Sequence, residues 1–386
     1  MKHQFFRTHK FFILTCVMLI FVGIQMGGSQ AVLASAGESF SISKTGMGLL
    51  AAAQAAGMCI SPGLFGHLSD RKGKKPVLLL SIFFAIVGAA LAGLAQNAFV
   101  YALGSFLLGA GIITCESTCF AAISDLYPKE SSRLLTMGLF FVSLGAIFGP
   151  MVLQMAITRY QVSWKILFLA VGLGFFFAVY PVIHSKLPKS SVKTADMHIG
   201  SPLRLLRSKP YLLLFIATIL YVGVDHSIGS FVNTLFGTQL HVPHLGTYAV
   251  SAFWAGTALS RLVNGFKSLR PTKTLIVYHL LLTITTMCLA LSSHAALSIV
   301  LSALIGWSIG PLWSTLLAAG AKEFPEQSGT ATGLLGTANG IGGMVYPVAV
   351  GFLADIANVR VGFLMLAATA FVCVILSLCY EKAFEQ

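Results

Sequence analysis

Long apolar runs separated by short polar turns dominate the chain. Twelve of them are found, at 12–34, 44–65, 77–95, 98–124, 134–157, 164–183, 210–236, 246–266, 274–293, 296–319, 328–353 and 361–380. A helix of roughly 20 apolar residues crosses a bilayer, so the pattern predicts an all-α membrane protein of twelve transmembrane helices. The longest polar stretch, 184–209, divides the runs six and six. It carries Lys186, Lys189, Lys193, Arg204, Arg207 and Lys209 among Pro188, Pro202 and Pro210. The expected organisation is a six-helix bundle over 1–183, a linker over 184–209 with one short surface helix, and a second six-helix bundle over 210–386.

The halves echo each other in order. Phe21-Val22-Gly23-Ile24-Gln25 answers Tyr221-Val222-Gly223-Val224-Asp225, and Gly66, Ser69, Arg71 and Lys74 answer Gly265, Ser268, Arg270 and Lys273. Gly109 answers Gly306, Tyr127-Pro128 answers Phe324-Pro325, and Gly145 and Pro150 answer Gly342 and Pro347. Six spans per repeat give two pseudo-symmetric bundles in the same orientation, related by an axis along the membrane normal.

Charge then sets the orientation. With both termini inside, 20 Lys and Arg fall on the cytoplasmic side and four, Lys44, Arg159, Lys165 and Arg360, on the other, while Arg261 is left near the inner end of span eight. Basic loops stay in the cytoplasm, so both termini are expected there. Charged residues are 10% of the chain and hydrophobic residues 56%, against about 25% charged in soluble domains. The partner is therefore the lipid bilayer. The net charge of +13 lies in turns between spans, and base-reading motifs are absent, which excludes nucleic acid.

Lys2, Arg7 and Lys10 followed by an apolar run ending at Ala34-Ser35-Ala36 look like a signal peptide. The repeat argues for a retained first span, because span seven is its counterpart. The seven cysteines, Cys16, Cys59, Cys115, Cys119, Cys288, Cys373 and Cys379, lie in or beside apolar runs and form neither a disulfide framework nor a zinc spacing. Cys115 and Cys119 share a helix face with Glu116 and read as packing residues. No metal and no cofactor is expected.

Ionisable side chains inside spans cost about 2.5–3.5 kcal/mol each on insertion scales and mark function. Asp225 and His226 sit near the middle of span seven and Glu116 well inside span four. A poorly hydrated surrounding disfavours the charged carboxylate, so proton binding can follow which side a cavity faces. The alternative is a structural pair with a hydroxyl or backbone group. Gln25, Gln30, Asn233 and Asn339 are polar positions in apolar helices, suited to a hydroxylated solute or to interhelical hydrogen bonds. Trp307 and Trp313 in span ten are candidates to stack on a solute ring. Gly306-Trp307-Ser308-Ile309-Gly310 matches the nucleophile elbow of serine hydrolases, but lies inside a span rather than on a strand–turn–helix, so no enzyme is expected.

The turn Gly66-His67-Leu68-Ser69-Asp70-Arg71-Lys72-Gly73-Lys74-Lys75-Pro76 resembles the loop between the second and third helices of the major facilitator superfamily of transporters. The resemblance covers nearly the whole chain and implies the major facilitator fold, with spans one, four, seven and ten lining a central cavity. Glu116 and Asp225 lie on such spans. The same resemblance gives the loop residues Gly66, Asp70, Arg71, Gly73 and Lys74 a gating role, in which the Asp70 carboxylate accepts hydrogen bonds from a helix N-terminus in one state and releases them in the other. Tyr221–Phe231 is similar to the seventh helix of the fucose:proton symporter-like sugar-porter branch, and Gly329–Leu334 with Gly340, Gly342, Gly343 and Pro347 to its eleventh. Gly138, Gly145, Gly149 and Pro150 in span five resemble a pattern of proton-driven exporters.

The expected function is secondary active transport of a small polar solute, a sugar or sugar derivative, by proton-coupled alternating access, with sodium as the other coupling ion in view. Asp225, Glu116 and His226 are the protonation candidates, and Gln25, Gln30, Asn233, Asn339, Trp307 and Trp313 the solute contacts. The alternatives are a proton-driven exporter of amphipathic compounds and a membrane solute sensor signalling through 184–209. A monomer is the family default. Short loops without N-x-S/T acceptors point to a bacterial inner membrane.

Overall fold

A computed structural model of the protein describes residues 10–127, 130–185, 187, 202–265, 271–324 and 327–384. The helices in chain order are α1 (Lys10–Ser39), α2 (Lys44–Lys72), α3 (Lys74–Leu94), α4 (Ala98–Leu126), α5 (Ser131–Tyr160), α6 (Ile166–His184), α7 (Lys209–Thr238), α8 (Pro243–Gly265), α9 (Pro271–Leu291), α10 (Ala295–Ile309), α11 (Leu312–Glu323), α12 (Ser328–Ile356) and α13 (Val359–Phe384). One 3-10 turn, Pro202–Arg207, stands before α7. Most of the expected linker lies outside the described residues. No strand occurs among the described residues, as the all-α reading requires.

These helices match the twelve expected spans one for one, except that span ten is broken into α10 and α11. The break falls at Gly310-Pro311. Pro311 has no N–H to bond the preceding turn, and it stands instead at the N-cap of α11, where that loss is harmless. Among the described residues ten stretches, with α10 and α11 taken as one, are long and apolar enough to cross a membrane. The two spans that fall short are α2 and α8, repeat counterparts whose apolar runs are diluted by glycine and polar residues such as Gln54, His244 and Asn264.

The basic turn departs from expectation. Residues 66–76 were expected as a loop, yet α2 runs to Lys72 and α3 begins at Lys74. The whole reversal is made at Gly73, which has φ 87°. That backbone value is readily available only to glycine. Lys74 Nζ pairs with Asp125 at the end of α4 and donates to the Ala121 carbonyl at 2.9 Å, and Lys75 Nζ donates to the Ser185 carbonyl at 3.2 Å. Both lysines thereby meet the carbonyl-rich ends of neighbouring helices, where cations are favoured.

By internal contacts the chain divides into two compact units, Met1–Ser29 with Ala53–Asp196, and Gln30–Ala52 with Met197–Gln386. Each is packed through glycines that let backbones touch. In the first unit a Cβ on Gly145 of α5 would lie 2.1 Å from the Ile20 carbonyl oxygen of α1, and one on Gly109 of α4 would lie 2.3 Å from the Gln54 carbonyl oxygen of α2. The second unit repeats both contacts. Gly342 of α12 would meet the Ile219 carbonyl of α7 at 2.2 Å, and Gly306 of α10 the Phe253 carbonyl of α8 at 1.8 Å. The internal repeat read in the sequence is thus a repeat of helix contacts. The span-five glycines have the same explanation: Gly149 packs on Ile24, and Gly138 on Phe120 and Leu19.

Candidate functional site

Helix α7 is buried along most of its length, from Tyr221 to Val224 and again from Ser227 to Phe236, with a partly exposed window at Asp225 and His226. The acid and the histidine of the span are therefore the two partly exposed positions within this buried stretch. Asp225 lies within electrostatic reach of His226 and of Arg261 on α8. Tyr221, one helical turn before Asp225, senses both charges. Arg261, which the sequence left at the inner end of span eight, thus belongs to the Asp225 cluster. Its signal was available, since a lone arginine in an apolar span asks for a partner.

His279 on α9 was not singled out by the sequence reading, although the same rule applies to it. It is wholly buried, its ring lies 6.1 Å from that of Tyr221, and its Nδ1 is 2.9 Å from Ser377 Oγ on α13. Ser377 donates its own proton to the Cys373 carbonyl at 2.8 Å. His279 Nε2 has no partner among the described residues. Tyr221 thus lies between Asp225 on its own helix and the His279–Ser377 pair of α9 and α13.

The other expected contacts of the second unit fall into two groups. Gln30 and Asn233 are engaged between helices: Gln30 Oε1 accepts from Trp254 Nε1 of α8 at 2.9 Å, and Asn233 Nδ2 donates to the Ala31 carbonyl of α1. Gly229 and Gly246 leave room for these amides, because a Cβ on either would strike the Gln30 or the Asn233 side chain. Trp307 on α10, Trp313 in the first turn of α11 and Asn339 on α12 are all half-buried. Ser308, the would-be nucleophile, is buried inside α10 and donates to the Leu304 carbonyl one turn back at 2.7 Å.

In the first unit Gln25 is wholly buried. Its Nε2 donates to Ser29 Oγ at 2.8 Å, and its Oε1 has no partner among the described residues. Glu116 on α4 is half-buried and acts electrostatically on the free thiol of Cys119, which is within hydrogen-bond reach of the free thiol of Cys115; both are wholly buried. An apolar crevice of about 500 Å³ between α1, α5 and α6 is lined by Ile20, Ile24, Phe148, Val152 and Leu167 among others, and offers a polar solute nothing to bond. Gly66, Asp70 and Arg71 fall in the last turns of α2, and their side chains lie outside the described residues. No group of three or more metal-ligating side chains occurs among the described residues.

The family model described as the Major Facilitator Superfamily matches residues 13–299 and 243–383. The chain is 22% identical over 335 residues to the uncharacterized MFS-type transporter YfkL of Bacillus subtilis, covering 83% of each chain. It is 25% identical over 327 residues to a glucose/galactose transporter of Brucella abortus, covering 78% of this chain and 77% of that one. In fold it is similar to the E. coli fucose:proton symporter FucP, with a TM-score of 0.67 and 19% identity over 96% of this chain and 98% of that one.

Proposed function

The chain belongs to the Major Facilitator Superfamily, a family of transporters rather than enzymes, and we propose that it takes up a small polar solute, a sugar or sugar derivative, by proton-coupled alternating access. The observation that carries this reading is the Asp225 window on α7 with Arg261 and His226 around it. An ionised Asp225 and Arg261 neutralise each other's charge. A protonated Asp225 leaves Arg261 positive and free to donate to a solute oxygen. Proton and solute binding are then coupled, each favouring the other. Glu116 is the second protonation site under this reading and His226 the third; sodium is the rival coupling ion.

Gln25 supports the solute part of the proposal, because its buried Oε1 lacks a donor and a hydroxylated solute supplies one. Trp307, Trp313 and Asn339 are the other contacts proposed. Gln30 and Asn233 reach the solute only when their bonds to Trp254 and Ala31 open. Gly66, Asp70, Arg71, Gly73 and Lys74 form the gate at the basic turn. The termini and that turn are proposed to face the cytoplasm of a bacterium, with the monomer, two six-helix bundles 1–183 and 210–386, and the linker 184–209 as the working unit. The similarity to a glucose/galactose transporter agrees with a sugar as cargo.

The test is solute-driven proton movement in proteoliposomes holding a pH dye, screened with hexoses, deoxyhexoses, sugar acids and cationic dyes. Alkalinisation outside on addition of one sugar is the expected result. Silence with every sugar and a response to the dyes would replace uptake by export of amphipathic compounds.

A further inference from the structure

The apolar crevice of the first unit, lined by α1, α5 and α6, has a counterpart that is filled. Gly145 and Gly149 of α5 are part of its lining. In the internal repeat Gly145 answers Gly342 and Pro150 answers Pro347, so Gly149 answers Tyr346. The equivalent helices of the second unit are α7, α12 and α13. There the Tyr346 ring lies against Gly223 of α7, where an added Cβ would come 2.2 Å from the ring, and the Tyr346 hydroxyl hydrogen-bonds with Thr369 of α13. One side chain thus bridges three helices in the second unit, and the first unit has a glycine at that place.

The crevice suits a hydrocarbon chain. Its volume is about 500 Å³ and its lining is apolar. Phe148, Val152, Ile166 and Ala170 of that lining are exposed, so it opens to the surroundings of the helices. On α5 it extends from Leu144 to Ala156, about 18 Å at 1.5 Å per residue, a little over half of a hydrocarbon core of about 30 Å. Left empty, such a groove forfeits the dispersion contacts of its lining, and in a bilayer the apolar matter at hand is lipid.

Charge stands at one end. Beyond Ala156 and before Ile166 comes the turn between α5 and α6, with Arg159, Tyr160, Trp164 and Lys165. Tyrosine and tryptophan favour the level of the lipid headgroups. Arg159 lies one helical turn past Ala156 on the same face. It is exposed, and no acidic side chain among the described residues pairs with it. Lys165 donates to the Ala95 carbonyl and lies 5.7 Å over the Trp164 ring, which holds a second positive charge beside Ile166. Basic side chains at that level draw anionic headgroups.

We propose that the crevice binds one anionic phospholipid, with an acyl chain lying along α5 from Ala156 towards Leu144 and the phosphate held at Arg159. The lipid takes the place that the Tyr346 side chain takes in the second unit. The inference needs only the membrane-spanning fold and is independent of solute and coupling ion.

The test is native mass spectrometry of the full-length protein in detergent, washed free of lipid and then given dioleoylphosphatidylglycerol or dioleoylphosphatidylcholine. One phosphatidylglycerol is expected to bind several-fold more tightly than phosphatidylcholine, with inorganic phosphate unable to displace it. Ala156→Phe, and Ala170→Phe from the α6 wall, place a ring in the crevice; neither position is buried, and the melting temperature checks that each variant is folded. Both are expected to lose the tight site, and Arg159→Gln to bring phosphatidylglycerol down to the level of phosphatidylcholine. Should both crevice-filling variants fail to fold, Arg159→Gln at its exposed position decides. Tight binding that survives the folded variants overturns the proposal, as does equal affinity of the parent for the two lipids. Displacement by inorganic phosphate also overturns it and leaves an anion site at the turn. Rhodamine 6G binding that is lost in Ala156→Phe, with phosphatidylglycerol binding unchanged, would make the crevice a site for amphipathic compounds instead.

Discussion

Gly145 lies with its Cα directly against the backbone carbonyl of Ile20, leaving no room for a side chain between α5 and α1. Its counterpart Gly342 stands in the same relation to Ile219 between α12 and α7. Substitution of either glycine by alanine forces two backbones apart, and such overpacking typically costs about 1–3 kcal/mol. Gly145→Ala and Gly342→Ala are each expected to lower the melting temperature in detergent by several degrees. Gly336→Ala is the control, since nothing lies within 4 Å of its added carbon. It should be neutral or slightly stabilising, because alanine is the better helix former by about 1 kcal/mol. Equal melting temperatures for all three would mean that the helix pairs are not held by backbone contact.

The Asp225–Arg261 relationship predicts a division between binding and coupling. Asp225→Asn keeps the shape and removes the exchangeable proton. Solute-driven alkalinisation should vanish while solute exchange across the vesicle membrane persists. Arg261→Gln should weaken both, and Arg261→Lys should restore part of each. Intact proton movement in Asp225→Asn moves the coupling site elsewhere, to Glu116 first.

Gln30 and Trp254 separate two roles by a paired measurement. Trp254→Phe deletes the donor to Gln30 Oε1. Loss of one such bond is worth about 1 kcal/mol and should appear as a lowered melting temperature with solute affinity retained. A fall in solute affinity with unchanged stability would instead make the pair a direct solute contact.

His279 offers a stability test with an unusual sign. Its Nε2 is buried without a partner among the described residues, and a buried polar group lacking a partner costs about 1–3 kcal/mol. Ser377 keeps its bond to Cys373 whatever stands at 279. His279→Leu is thus expected to leave the melting temperature unchanged or raise it. A clear fall would show that the imidazole has a partner that it lacks in this conformation. A shift in the pH profile of transport with stability intact would tie the imidazole to proton coupling.

The sequence by itself determined the apolar spans, the internal repeat and the presence of ionisable residues within α7. Each of these is written locally: a span is a run of consecutive apolar residues, the repeat is a series of glycines and prolines at matching intervals, and Asp225 stands out against its own helix. Even where the local reading slipped, at the basic turn, the cause was local too, a single glycine at φ 87° doing the work of an expected loop. Only the tertiary structure decided which residues meet. Arg261 comes to Asp225, His279 to Tyr221 and Asp355 to Lys44 across separations that no periodicity encodes. Gln30 and Asn233 look alike in sequence whether they face a solute or a neighbouring helix, and the difference lies in Trp254 and the Ala31 carbonyl, brought there by packing. Propensity and hydropathy act along the chain, whereas hydrogen bonds and ion pairs are satisfied in space. The architecture was therefore legible from the residues in order, and the partners of its polar groups were not.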